Sequence, residues 1–151
     1  MARCYDALRV VRHCRIARRN IIYMENIQKK IYGADELPVA WTYPSEYFSV
    51  CDTLECGQVF RYYKLADNVY GVFSKNKYAQ LTDVVVCQTT DGDYFAEYFA
   101  LDVDLSATVQ AVSDISPLMK QAADFGKGIR ILRQDPVETL FSFIISANNN
   151  I

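Results

Sequence analysis

The stretch EYFSVCDTLECGQVFRYYKLADNVYGVF, residues 46–73, decides the fold. Its apolar and polar residues alternate, and it is rich in Tyr, Phe and Val. Period two with these residue types predicts half-buried β-strands. Turn-forming residues interrupt the pattern at Glu55-Cys56-Gly57, at Asp67-Asn68 and, just beyond, at Lys75-Asn76-Lys77. LTDVVVCQTT, 81–90, reads as another strand, and Asp91-Gly92 ends the sheet. Short links between successive segments predict four or five sequentially connected strands in an antiparallel sheet.

Downstream the period changes to that of helices. Residues 93–100 and 104–113 read as short helices, the second opened by Asp104, and a third runs from about Ser116 to Phe125. Gly126 and Gly128 are expected to stop it by accepting positive φ. The clearest start signal is Asp135-Pro136-Val137-Glu138, with an acid at the N-cap, proline at N1 and glutamate at N3. Val137, Leu140, Phe141 and Ile144 then recur at helical spacing, which predicts an amphipathic helix with one face in a core. The fold class expected is α+β.

The chain has 151 residues, about one domain, with half of them hydrophobic. No apolar run is long enough to span a bilayer, and the N-terminus lacks the apolar core of a secretory signal. Five cysteines at irregular spacing argue against a disulfide framework and for buried free thiols in a reducing compartment. Cys51 and Cys56 have no second Cys/His pair to complete a zinc site, and His13 is the only histidine, so no metal is expected.

Charge is uneven within a net of −2. Residues 1–23 carry six arginines and one aspartate, 6 − 1 = +5, and residues 24–151 carry 10 − 17 = −7. An acidic body is a poor surface for nucleic acid. The basic segment 1–23 has three readings: an arm for nucleic acid or a membrane surface, an organelle transit sequence, or upstream sequence preceding a true start at Met24. The domain organisation expected is an extension over 1–23, an α+β domain over 24–133, and the start of a helical domain over 134–151.

The run FSFIISANNNI, 141–151, sets a chemical question. Ile144 plus four is Asn148, so an amide falls on the apolar stripe. A buried amide without partners costs about 1–3 kcal/mol. On spacing alone, either the asparagines cap the helix end or Asn148 awaits a ligand.

The string GIRILRQDPVETLFSFIISANNNI resembles the segment that opens the helical domain of 8-oxoguanine DNA glycosylases. CGQVFRY, 56–62, is similar to that family's Gly-Gln-x-Phe-Arg strand, and YFALDVDL, 98–105, to its linking motif. The resemblance covers roughly residues 44–151. It implies a helix-hairpin-helix glycosylase/AP lyase that excises oxidised guanine from duplex DNA. The first domain of such an enzyme is an antiparallel sheet with helices, similar to a TATA-binding-protein repeat, and the base is flipped into a pocket. No cofactor and no membrane are implied. The location implied is cytoplasmic and nucleoid-associated in bacteria, or nuclear or mitochondrial in a eukaryote.

Two sites carry over. Gly57 matches the glycine whose main-chain carbonyl meets the flipped base. 8-Oxoguanine donates from N7–H to such an oxygen, whereas guanine presents a bare acceptor that repels it. Without the motif, Gly57 reads as a turn or bulge glycine. Asn148 matches the asparagine that pairs with the orphaned cytosine, using an amide that both donates and accepts. Asn149 and Asn150 contact the DNA backbone or cap the helix. Phe60 and Arg61 read as core and sheet surface. Lys127, Arg130 and Arg133 form the best local basic cluster, or a solvated loop face. The family's catalytic lysine, which attacks C1′ and forms a Schiff base, and its aspartate match nothing in this sequence. The chain is therefore expected to be the N-terminal part of such an enzyme. Without its C-terminal glycosylase domain it should be inactive and fold poorly, with the stripe of its last helix exposed.

Overall fold

A computed structural model describes the backbone of residues 37–149 and the side chains of 37–147; expectations placed on residues 1–36 and on Asn150 lie outside the described residues. The alternating pattern builds strands β2 (Tyr62–Ala66), β3 (Val69–Ser74), β4 (Lys77–Thr82) and β5 (Val86–Gln88). They form an antiparallel meander. A further strand, β1 (Val39–Thr42), pairs beside β5, giving the order β1-β5-β4-β3-β2. Register places Trp41 opposite Cys87, Cys87 opposite Leu81 and Leu81 opposite Tyr70, so one row of large side chains crosses the sheet. Asn68, at φ 64, makes the β2–β3 turn, and Lys75, at φ 54, opens the β3–β4 turn.

Three readings need correction. The first part of the alternating stretch is not strand. Ser45–Tyr47 is a 3-10 turn and Val50–Glu55 is helix α1. The Ser49 hydroxyl caps α1 by accepting from the Asp52 N–H at 3.2 Å, while Val50, Cys51, Thr53 and Leu54 are buried. Six residues are too few for periodicity to separate helix from strand. Next, LTDVVVCQTT is not one strand. It holds the end of β4, a turn and β5. Val85 sits in the turn at φ 56, fully buried, and its N–H donates to Thr82 O at 2.8 Å. Its apolar side chain hides the turn. Finally, among the described glycines only Gly57 has positive φ. Gly126 and Gly128 therefore do not act through left-handed backbone.

Helix α2 (Gly92–Tyr98) covers the sheet near β1, and Gly92 lies so close to it that a Cβ there would fall 2.9 Å from Ala40 Cβ. The Trp41 indole N–H donates to Gly92 O at 3.0 Å. Phe48, Val50 and Leu54 from the α1 region join Tyr70, Val72, Leu81, Phe95 and Phe99 in one core. Cys51 and Cys87 are buried and Cys56 is exposed, and none of the three forms a disulfide among the described residues. Burial pushes the Cys87 thiol up to about 12, so it stays protonated.

Helices α3 (Leu105–Ser113) and α4 (Pro117–Gly126) pack side by side. Each opens on a side-chain cap: Asp104 accepts from Ser106 N–H at 2.8 Å, and Ser116 from Met119 N–H at 3.2 Å. The chain then returns as a strap over α1. Gly128 O accepts from Ser49 N–H at 2.7 Å, and a Cβ at Gly128 would lie 2.8 Å from Ser49 Cβ. Close approach, not helix termination, requires glycine there. Helix α5 (Pro136–Asn149) follows the strap. The expected N-cap is in place, with Asp135 Oδ1 accepting from Val137 and Glu138 N–H at 3.1 and 2.9 Å. No helix among the described residues is long and apolar enough to cross a membrane.

Candidate nucleic-acid interface

Gly57 follows α1. Cys56 closes that helix at φ −74, ψ 0, and Gly57 then turns the chain at φ 90. Only glycine adopts this without strain. The position is exposed, and a Cβ would meet nothing within 4 Å, so the backbone here is open to a ligand. Among the described residues no hydrogen bond occupies the Gly57 carbonyl.

The residue after it anchors the turn. The Gln58 amide donates to Thr53 O at 3.1 Å and Arg130 O at 2.7 Å, and its oxygen accepts from Leu132 N–H at 3.0 Å. Gln134 donates back to the Gln58 carbonyl. One amide side chain therefore fixes the turn to the strap. This role for Gln58 was absent from the sequence reading. Its only signal is the Gly-Gln pair, because three of its partners, Arg130, Leu132 and Gln134, lie more than seventy residues away.

Phe60 is not core. It is 40% exposed and meets Phe143 of α5 edge-to-face, with centroids 5.9 Å apart. Arg61 is not simply sheet surface. Its guanidinium pairs with Glu138 of α5, donates to Lys75 O at 3.3 Å and lies 5.8 Å from the Phe73 ring centre. The turn and α5 are thereby joined. Phe143 precedes Asn148 by five residues, a rise of about 7.5 Å. Asn148 and Asn149 form the last turn of α5, so the helix continues through both.

The apolar stripe of α5 is exposed rather than buried: Val137 62%, Leu140 59% and Phe141 59%. The helix is thus amphipathic as expected, but among the described residues that face does not enter a core.

The basic cluster does not form. Arg130 is 1% exposed. It donates to Ala100 O and, at 2.7 Å, to the Tyr43 hydroxyl, with its guanidinium 4.8 Å from the Tyr43 ring centre. Arg133 pairs with Asp102 at 2.8 Å. That arginine holds the Asp102 carboxyl below the usual carboxylate range. Lys75 pairs with Asp135 at 3.1 Å, which raises its pKa, and Lys77 pairs with Asp91. Burial, with Glu55 nearby, raises the Tyr62 hydroxyl. Most described cations are therefore engaged by internal partners. What the described side of this surface can offer a ligand is a backbone acceptor and aromatic rings.

The family model for the 8-oxoguanine DNA glycosylase N-terminal domain matches residues 41–140. An N-glycosylase/DNA lyase of Saccharomyces cerevisiae is 30% identical over 121 residues, covering 74% of this chain and 29% of that protein. The 8-oxoguanine glycosylase/lyase of Clostridium acetobutylicum, solved with double-stranded DNA containing cytosine opposite 8-oxoG, is 40% identical. It superposes with a TM-score of 0.60 over 69% of this chain and 38% of that one. MBOgg1, solved in complex with a low affinity DNA ligand, is 35% identical with a TM-score of 0.61 over the same shares. The chain therefore spans well under half the length of these relatives. Residues 41–140, which the family model matches, hold strands β2 to β5, helices α1 to α4 and the Gly57 turn, and the chain belongs to the 8-oxoguanine DNA glycosylase family, in its N-terminal part.

Proposed function

We propose that this chain is the lesion-reading part of a base-excision repair glycosylase/AP lyase acting on 8-oxoguanine in duplex DNA. The observation that carries the proposal is the Gly57 turn: an exposed glycine at φ 90 whose carbonyl has no partner among the described residues. A flipped 8-oxoguanine would donate its N7–H to that oxygen. Guanine would bring a lone pair against it, so one acceptor separates lesion from normal base. Asn148 would pair with the cytosine left behind, and Asn149 and Asn150 would contact the backbone nearby. The described residues supply recognition on this reading. Lys75 and Lys77 are engaged in ion pairs and Lys64 lies over the Tyr70 ring. Attack at C1′ by a lysine amine, with the Schiff base that follows, belongs to the whole enzyme.

The test is duplex binding by the protein and by its Asn148→Ala variant, using 8-oxoguanine opposite cytosine and the matching guanine duplex. Preference for the lesion, reduced about tenfold in the variant, is expected. Equal affinity for the two duplexes overturns the reading. Lesion preference without base release or a borohydride-trapped covalent complex would instead make the protein a non-catalytic binder of damaged DNA.

A further inference from the structure

Glu138 stands at N3 of α5, where a glutamate ordinarily reaches back to its own cap. It does not do so here: only the Asp135 half of such a cap forms. Glu138 instead crosses to the sheet. One carboxylate oxygen pairs with Arg61, and the other accepts from the Lys75 backbone N–H at 3.0 Å and from the Ser74 hydroxyl at 3.4 Å. Lys75 is held on two more sides: Arg61 donates to its carbonyl at 3.3 Å and Asp135 pairs with its ammonium at 3.1 Å. The lysine sits in left-handed backbone at φ 54, which a non-glycine residue adopts only where its surroundings hold it. The β3–β4 turn and the first turn of α5 thus form a single latch.

Beyond this latch, α5 presents an exposed stripe, and Phe143 meets Phe60 in the segment between the Gly57 turn and β2. Asn148 lies ten residues past Glu138, about 15 Å along the axis. A tilt of about 10° at the latch would move Asn148 by about 2.5 Å, well beyond the tolerance of a hydrogen bond. We propose that Glu138 and Arg61 are positioning residues for lesion recognition, their ion pair setting the direction of α5 and so where Asn148 stands relative to the Gly57 carbonyl. This rests on the reading of Gly57 and Asn148 given above.

The experiment compares wild type, Glu138→Ala and Arg61→Gln for binding to the 8-oxoguanine:cytosine and guanine:cytosine duplexes, with amide hydrogen exchange measured on the same samples. The ratio of the two affinities is expected to fall about tenfold in both variants while affinity for the undamaged duplex holds within about twofold. A merely structural role would lower both affinities together and leave the ratio intact, and that result overturns the proposal. Glu138→Gln keeps an oxygen for the Lys75 N–H but loses the ion pair, so its ratio should fall between. If wild type itself shows no lesion preference, the reading of Gly57 and Asn148 fails. The latch is then judged on exchange alone. Amides 139–147 exchanging about tenfold faster in Glu138→Ala, with β3 and β4 unchanged, support it, and unchanged exchange overturns it. Should Glu138→Ala not fold, Arg61→Gln is read in the same way.

Discussion

Replacing Arg130 should unlock the fold more than any surface change. The guanidinium is 1% exposed and pairs with no carboxylate among the described residues. It is held by Ala100 O, by the Tyr43 hydroxyl at 2.7 Å and, more weakly, by Val103 O at 3.4 Å. Ala100 is itself strained at φ 50, ending α2 in a left-handed cap without glycine, with Leu101 N–H closing back to Ala96 O at 3.0 Å. Arg130→Ala would orphan these acceptors, remove the stacked cation from Tyr43 and Phe48, and open a cavity. Hydrogen bonds to a charged group are worth about 1.5–3 kcal/mol each. Relief of the buried charge offsets part of the loss, leaving about 4 kcal/mol. With an unfolding entropy of about 2.1 cal/mol/K per residue over roughly 110 residues, Tm should fall by about 15–20 °C. Thermal melts followed by far-UV circular dichroism measure this on the full 151-residue protein. Arg130→Lys, which keeps the charge but not the fork, should fall between. Arg133→Ala, which removes an exposed ion pair, should hardly move the transition. An Arg130→Ala protein melting within about 5 °C of wild type would refute the view that this residue ties the strap to α2.

Three further outcomes follow from the same geometry. Gly128→Ala pushes a methyl to within 2.8 Å of Ser49 Cβ and 3.2 Å of its backbone nitrogen, and should cost about 1–3 kcal/mol in urea unfolding; a neutral result would mean the strap does not lie against α1. Gly57→Ala meets no atom but must hold φ 90, so it should cost about 1–2 kcal/mol through backbone alone, and an unchanged urea midpoint would contradict the left-handed turn. Asp83 has a buried oxygen without a hydrogen bond among the described residues, and burial raises its pKa, with Lys64 opposing and Asp52 and Glu55 adding. The folded state therefore binds its proton more tightly than the unfolded chain. Stability from this group is present below its ordinary pKa and lost as pH rises through the raised value. Asp83→Asn should be the more stable protein at neutral pH, the difference shrinking in acid, and a less stable variant at neutral pH would reverse that reasoning.

Local patterns determined a good deal of this protein. The alternation from Tyr62 to Thr82, the Asp67-Asn68 and Lys75-Asn76 turns, and the caps at Asp104, Ser116 and Asp135 are all sequence-near, and each carries its signal within a few residues. The order of its motifs pointed to the family. What the tertiary structure alone decided involves distant partners. The six-residue helix α1 has its face chosen by the core above it, and four-residue β1 exists because β5 offers an edge. Arg130 leaves the surface because Tyr43 and Phe48 accept its cation, and Glu138 turns from its own helix cap to a hairpin sixty-three residues earlier, |i−j| = 63 to Lys75. Charges are where sequence reading fails most here. A side chain's charge is written in its letter, but whether it faces solvent, a ring or an opposite charge is fixed by chain segments brought together only on folding.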